Sequence, residues 1–353
     1  MLRVGVIGCG AVARAVHIPL LRALPGVTVT AVADPDGPRR AAGARAAGAA
    51  VPCATHEELL ARPDVDAAVV STPTGLHAEV ALAALAVGKH VYLEKPLAAS
   101  LEDGRAVLAA WRRSGRVGMV GFNYRFNDLH HRAAERVRSG ELGEVVCART
   151  VFSTAAADVA EWKRSRGGGG GVLLDLASHH VDLVRFLFGR EVRRVFAAVW
   201  SQRTEDDGAA LHLEMEGGLA VQSFFSLAAV EEDRVEIYGS RGKLVVDRYA
   251  SLDAELLPAS RGRGARLAAA ARRIAGWRRA PYLLSKLRSP LHEPSFGAAL
   301  THFVRAARGE APAAPDFDDG YRSLAVVDAA ERSARTGAAE VPAGEDADNL
   351  ILL

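Results

Sequence analysis

At 353 residues the chain is too long for one ordinary small domain and suits two. Apolar residues make up 49% and charged residues 24%, a globular composition, and a formal net charge of +2 makes no case for nucleic acid. Cys9, Cys53 and Cys147 have no metal spacing and cannot close a disulfide framework, and no apolar run approaches the roughly 20 residues of a membrane span. The expectation is a soluble, reduced, cytoplasmic protein, with no signal peptide because Leu2–Ile7 runs straight into a glycine turn.

Short apolar runs at Leu2–Ile7, Val27–Ala33, Ala67–Ser71, His90–Leu93 and Val117–Gly121 alternate with helical patterns such as His77–Val87 and Leu101–Ser114. That alternation predicts a parallel sheet covered by helices on both faces. After residue 122 the pattern changes. A helix is expected over Asn127–Ser139, a strand near Gly143–Ser153 and a long helix from about Gly171 to Phe188. Strands follow at Val192–Ser201, Ala209–Glu216, Leu219–Ala228, Arg234–Gly239 and Gly242–Asp247, joined by glycine turns, which predicts a mostly antiparallel sheet. Helices near Phe296–Arg308 and Asp319–Thr336 close the chain. The fold class is α/β, divided into a parallel-sheet domain over 1–122 and an α/β domain with a large, mostly antiparallel open-faced sheet over 123–353. The last helix is a candidate to pack back on the first domain.

Gly8-Cys9-Gly10-Ala11-Val12-Ala13 follows the first strand and opens a helix. Gly8 permits the tight turn, Gly10 lets a pyrophosphate approach the backbone, and small Ala13 allows close helix–sheet packing. The helix N-terminus, with Ala11 and Val12, offers N–H groups to phosphate. Asp34 ends the second strand 21 residues beyond Ala13, placed to bind the adenosine ribose diol and to repel a 2′-phosphate. NAD is therefore expected over NADP, although Arg39 and Arg40 lie close enough to accept a phosphate. A packing turn with a solvated aspartate is the bland alternative.

Glu94-Lys95-Pro96 ends a strand at the edge where ligands sit in open parallel sheets. An isolated Glu-Lys pair is usually a surface ion pair, but beside the glycine turn an ammonium is placed to hold a reacting oxygen. Five glycines, Gly167 to Gly171, precede Asp175 and His179, which are four apart and share a helix face that Asp182 continues. Carboxylate beside imidazole suits proton handling, and the glycines would let the backbone approach a ligand. His180 falls in the apolar stripe with Leu176, Leu183 and Leu187, which reads as core or pocket wall. With no second ligand cluster, no metal is expected.

Together these segments, with Ser71–His77 and Gly121–Phe126, resemble the Gfo/Idh/MocA family of glucose–fructose oxidoreductase and inositol dehydrogenase relatives. The resemblance implies a Rossmann domain followed by an α/β domain whose open sheet mediates dimers or tetramers. It implies that Lys95, Asp175 and His179 form the catalytic group, with His179 relaying the proton and Asp175 orienting both partners. It also places Thr72, Pro73, His77, Glu94 and Lys95 along the cofactor cleft, and Tyr124, Arg125 and His180 with the catalytic trio around a small carbohydrate-like substrate. His180 departs from the apolar or aromatic residue more usual there. An NAD-dependent dehydrogenase or ketoreductase acting on a sugar, polyol or nucleotide sugar follows, with an NAD-dependent glycosidase and a non-catalytic regulator as alternatives.

Residues 261–288 hold nine basic residues and no acid, so the rest of the chain carries 35 bases against 42 acids. A basic amphipathic helix around Leu267–Arg279 would meet an anionic partner, a nucleotide-sugar diphosphate or a phospholipid surface. A solvated arginine-rich insertion is the competing reading.

Overall fold

The computed structural model describes residues 1–48, 50–155, 160–259 and 280–344. The chain forms two compact units, Met1–Asn123 with Ser289–Leu324, and Tyr124–Arg288 with Ala325–Leu353. The sequence expectation assigned all of 123–353 to a second domain; residues 289–324 belong instead to the first unit. The expected basic helix around Leu267–Arg279 lies outside the described residues. Among the described residues, no helix is long and apolar enough to cross a membrane.

In the first unit, strands β1 (Leu2–Ile7), β2 (Val27–Ala33), β3 (Val51–Cys53), β4 (Ala67–Val70), β5 (His90–Leu93) and β6 (Gly118–Val120) form one sheet in the order β3-β2-β1-β4-β5-β6. Every pairing is parallel. Such strands are covered on both faces, and β4 is buried at all four positions. The short β3, which the apolar pattern alone does not reveal, extends the sheet beside β2. Of the helices α1 (Ile18–Ala23), α2 (Gly37–Ala46), α3 (His56–Leu60), α4 (His77–Ala86) and α5 (Leu101–Ser114), α2, α3 and α5 begin where a side chain satisfies an early N–H group. Ser100 accepts from Asp103 N at the start of α5 (Leu101–Ser114), with Glu102 and Asp103 in its first turn and left-handed Gly115 at its end.

The helix Ser295–Ala307 returns to this unit because its apolar face finds a partner there. Leu300, Phe303 and Val304 are buried, and the Phe303 ring meets Tyr92 edge-on at 5.6 Å. Beyond it, Val120 N donates to Pro315 O, so the outer edge of β6 is covered. The last long helix, Phe317–Thr336, starts in the first unit, where Gly320 lies against Val120 and Leu97. It ends in the second, where Ser333 Oγ accepts from Ala197 N.

In the second unit, β7 (Val145–Ala155), β8 (Val192–Trp200), β9 (Gly208–Met215), β10 (Ala220–Ser226), β11 (Ala228–Gly239), β12 (Gly242–Asp247) and β13 (Glu255–Pro258) form a sheet in the order β13-β12-β11-β7-β10-β9-β8. Only β7 with β10 is parallel; the other pairs are antiparallel. Side chains alternate across it: Val195, Leu211, Leu213, Val221 and Phe225 are buried, while Phe196 and Phe224 face out. The buried face carries α6 (Asp128–Arg138) and α7 (Ser178–Phe188).

Phe303 is fully buried. Phe303→Ala is expected to lower unfolding free energy by about 3–5 kcal/mol through lost burial and a residual cavity. Urea denaturation followed by tryptophan fluorescence measures it; a loss below about 1 kcal/mol would show that the returning helix does not contribute to the first unit's core.

Candidate active site

The glycine turn holds its shape for steric reasons. Gly8 sits at φ +89, and a Cβ there would lie 2.5 Å from Ser71 O, so the residue must be glycine. At Gly10 a Cβ would meet nothing within 4 Å, which leaves the backbone open to a diphosphate. The following segment, Ala13–His17, is a π-helical turn before α-helix resumes at Ile18–Ala23. Asp34 is buried, with one oxygen 2.8 Å from Cys9 N and the other 2.9 Å from Asp36 N. Its remaining lone pairs can still accept from a ribose diol. Arg40 donates to the carbonyls of Asp34 and Pro35, so its guanidinium is tied to the backbone. Thr72 Oγ1 is buried without a hydrogen-bond partner, and Pro73 beside it is exposed. An open glycine, an acid braced for a diol and an orphaned hydroxyl suit a dinucleotide.

At the end of β5, Glu94 and Lys95 are half-buried. Glu94 Oε1 lies 2.8 Å from Nε2 of His17, which is fully buried. Burial pushes the Glu94 carboxyl up, but His17 and then Lys95 outweigh it, and the group sits below its usual range. His77 bridges the loops: Nδ1 lies 2.7 Å from Pro96 O and Nε2 3.0 Å from Thr72 O. A neutral imidazole donates only one of those bonds. Burial pushes its pKa below the ordinary value despite the pull of both carbonyls.

In the second unit, Leu173–Ala177 is again a π-helical turn, leading into α7. Asp175 and His179 are both half-buried. Each oxygen of Asp175 lies 2.9 Å from Lys163 Nζ. The glycine run explains that contact. A Cβ at Gly168 would fall 2.5 Å from Trp162 O and one at Gly170 2.3 Å from Lys163 O. The close approach expected toward a ligand is thus made to the chain's own backbone, and it sets Lys163 against Asp175. His179 stacks on Tyr124, with ring centroids 4.5 Å apart and planes 21° from parallel.

Three residues expected near the substrate have partners within the fold. Tyr124 is buried and its hydroxyl donates to Asp233 at 2.5 Å. His180 is buried in the same place, with Nε2 3.1 Å from Asp233. Arg125 makes a bidentate pair with Asp182, at 2.8 and 2.7 Å, and Asp182 is fully buried. The reason is common to all three: a polar group that loses water must find a donor or acceptor inside the fold. Asp182 therefore does not extend the half-exposed face of Asp175 and His179. Lys163, Asp233 and Arg248 were missed by sequence reasoning, since no local motif links them to the helix they serve. Among the described residues, His56, Glu57 and Glu79 are the one group whose ligand atoms converge, and Glu57 and Glu79 are exposed.

Comparison with known proteins agrees with this layout. A family model described as an oxidoreductase family with an NAD-binding Rossmann fold matches residues 2–122, and a GFO/IDH/MocA C-terminal domain matches 130–245. The chain is 32% identical over 252 residues to 1,5-anhydro-D-fructose reductase of Ensifer adhaerens, covering 69% of this chain and 75% of that protein. It is 26% identical over 341 residues to myo-inositol 2-dehydrogenase of Thermotoga maritima, covering 94% and 96%. The fold is shared with the WlbA dehydrogenase of Bordetella pertussis, solved with NADH and UDP-GlcNAcA, at a TM-score of 0.82, 23% identity and coverage of 97% and 98%.

His77 makes stability depend on pH. The unfolded chain takes up a proton near the ordinary histidine value of about 6.5 and the folded chain resists it. Stability is then full above that pH and declines as pH falls below it, by at most about 1.4 kcal/mol per pH unit for this group. Urea midpoints from pH 7.5 to 5 should show a shallower slope in His77→Gln than in wild type; identical slopes would remove His77 as the source.

Proposed function

Because this chain belongs to the Gfo/Idh/MocA oxidoreductase family, we propose that it moves a hydride between NAD and a secondary alcohol or ketone of a sugar, polyol or nucleotide sugar. The carrying observation is the half-exposed pair of Asp175 and His179 on one helix, in a chain whose Gly8–Asp34 region suits a dinucleotide. Gly8, Gly10, Ala11, Val12 and Asp34 would hold NAD, with Thr72, Pro73, His77 and Glu94 beside it. When bound, NAD supplies the hydride acceptor or donor. Lys95 holds the substrate oxygen through its ammonium. An imidazole nitrogen of His179 takes the hydroxyl proton during oxidation and returns it during reduction. Asp175, fixed by Lys163, keeps a negative charge on the same helix face and so favours the imidazolium that results. The buried Asp34 disfavours a 2′-phosphate, which makes NAD the preferred cofactor over NADP.

Relatives named as a reductase and a dehydrogenase support this chemistry over a glycosidase or a regulator without turnover. The exposed sheet face with Phe196, 45% exposed, and Phe224, 39% exposed, serves a homodimer or homotetramer. The nine basic residues of 261–288 favour an anionic substrate. Three free thiols suit the cytoplasm.

Purified protein mixed with NAD⁺ and pooled inositols, free sugars and nucleotide sugars should produce NADH, read by absorbance. Lys95→Ala and His179→Ala should each lower kcat by about a hundredfold or more while NAD⁺ still binds. No NADH from wild type, with NAD⁺ binding intact, would sink the reading for those substrate classes. Asp34→Ala should narrow the preference for NAD⁺ over NADP⁺, measured as the ratio of the two dissociation constants; an unchanged ratio would assign discrimination elsewhere.

A further inference from the structure

A fully buried charge of the second unit lies outside the residues given a chemical role above. Asp233, on β11, has a side chain with no exposure. Its Oδ2 receives the Tyr124 hydroxyl at 2.5 Å and Arg248 Nε at 2.6 Å, while Oδ1 lies 3.1 Å from His180 Nε2. Burying a carboxylate costs several kcal/mol, and an apolar group of similar volume would often serve stability as well. The cost calls for a role beyond packing. The second observation supplies one: the Tyr124 ring that Asp233 anchors is the ring on which His179 stacks, at 4.5 Å.

We propose that Asp233 is a positioning residue for His179, acting through Tyr124; the proposal rests on the reading of His179 as the proton carrier. Tyr124 in the core has few ways to rotate, and its hydroxyl bond holds the far end of the ring and favours the planes in which the phenol O–H, which prefers to lie in the ring plane, points at Asp233. A fixed ring plane offers one stacked orientation to the neighbouring imidazole. His180, the next residue along, bonds directly to the same carboxylate, so Asp233 also sets the rotation of α7 about its axis. Arg248 completes the cluster, its guanidinium carbon 4.9 Å from the Tyr124 ring centroid and 4.5 Å from that of Tyr249. The Phe152 ring stacks on His180 at 5.4 Å and closes the apolar side.

The protonation states agree with this geometry. Burial would raise the Asp233 carboxyl, but Arg248, then His180 and Tyr124, hold it far below the ordinary carboxylate range, so it stays an acceptor. Burial, reinforced by Asp233, pushes the Tyr124 hydroxyl well above its ordinary value, so it stays a donor. The link from carboxylate to phenol is therefore intact across the whole range in which a histidine titrates.

Two readouts test the idea on the full chain. The first is the His179 ring-proton resonance, assigned by its loss in His179→Gln; stacking on Tyr124 should shift it upfield. Tyr124→Leu should abolish that shift, and Asp233→Asn and Tyr124→Phe should each reduce it. The second is turnover of whichever pooled carbohydrate gives Lys95-dependent NADH. There kcat should fall about tenfold to a hundredfold in either variant, with KM for NAD⁺ unchanged. The double variant should be no worse than the poorer single one, because both break one link. Tyr124→Phe keeps the ring, so it decides the matter if Asp233→Asn does not fold. An unaltered His179 resonance in folded Tyr124→Phe, or single effects that multiply in the double variant, would overturn the proposal. A resonance that moves while kcat holds would leave the positioning intact and remove His179 as the proton carrier.

Discussion

A carboxylate cannot be left in a protein core without donors, and that requirement organises the second unit. Asp233 draws in a phenol, an imidazole and a guanidinium from three separate stretches of chain: Tyr124 before α6, His180 on α7 and Arg248 after β12. Helix and sheet are thereby tied at one point, where the alternation of apolar residues alone would permit sliding. The half-exposed His179 takes its orientation from what lies beneath it. Asp182 repeats the theme one turn further on, buried between Arg125 and Arg185. In both places a buried carboxylate helps to hold the helix.

The first unit answers to a different constraint, the close passage of backbone at the carboxyl edge of a parallel sheet. Gly8 passes so near Ser71 O that no side chain fits at the turn from β1 into the helix. Asp34 is then held by backbone N–H groups from that turn and from its own loop, so the acid and the glycines act as one piece. His77 ties the loop after β4 to the turn after β5 through two carbonyls. The dinucleotide region is thus tied together by hydrogen bonds between its loops.

Much of this was legible from residue patterns. Strand–helix alternation, the glycine turn with Asp34 and the switch to successive strands all follow from local periodicity and turn chemistry. The strand Gly242–Asp247 and the helix Leu101–Ser114 occupy the residues expected of them. The short strands Val51–Cys53 and Glu255–Pro258 were not legible, because each contains a proline and neither forms an unbroken apolar run. The two π-helical turns were also invisible. A π turn inserts one extra residue, so the faces beyond it rotate away from the 3.6-residue reading. One such turn buries His17, which the sequence reading left unremarked.

By itself the sequence determined the fold class, the nucleotide turn, the acid that follows it and the Asp–His helix, because each rests on residues within about one turn or one βαβ unit of each other. Only the tertiary structure decided which partner each of these polar side chains takes. It buried Tyr124 and His180 against Asp233, paired Arg125 with Asp182, gave Asp175 to Lys163, and brought the helix 295–307 back to the first unit. The physical reason is that partner choice for a buried charge depends on what long-range packing brings within about 3 Å. A residue's type announces that it needs a partner; which partner it finds is settled by the fold.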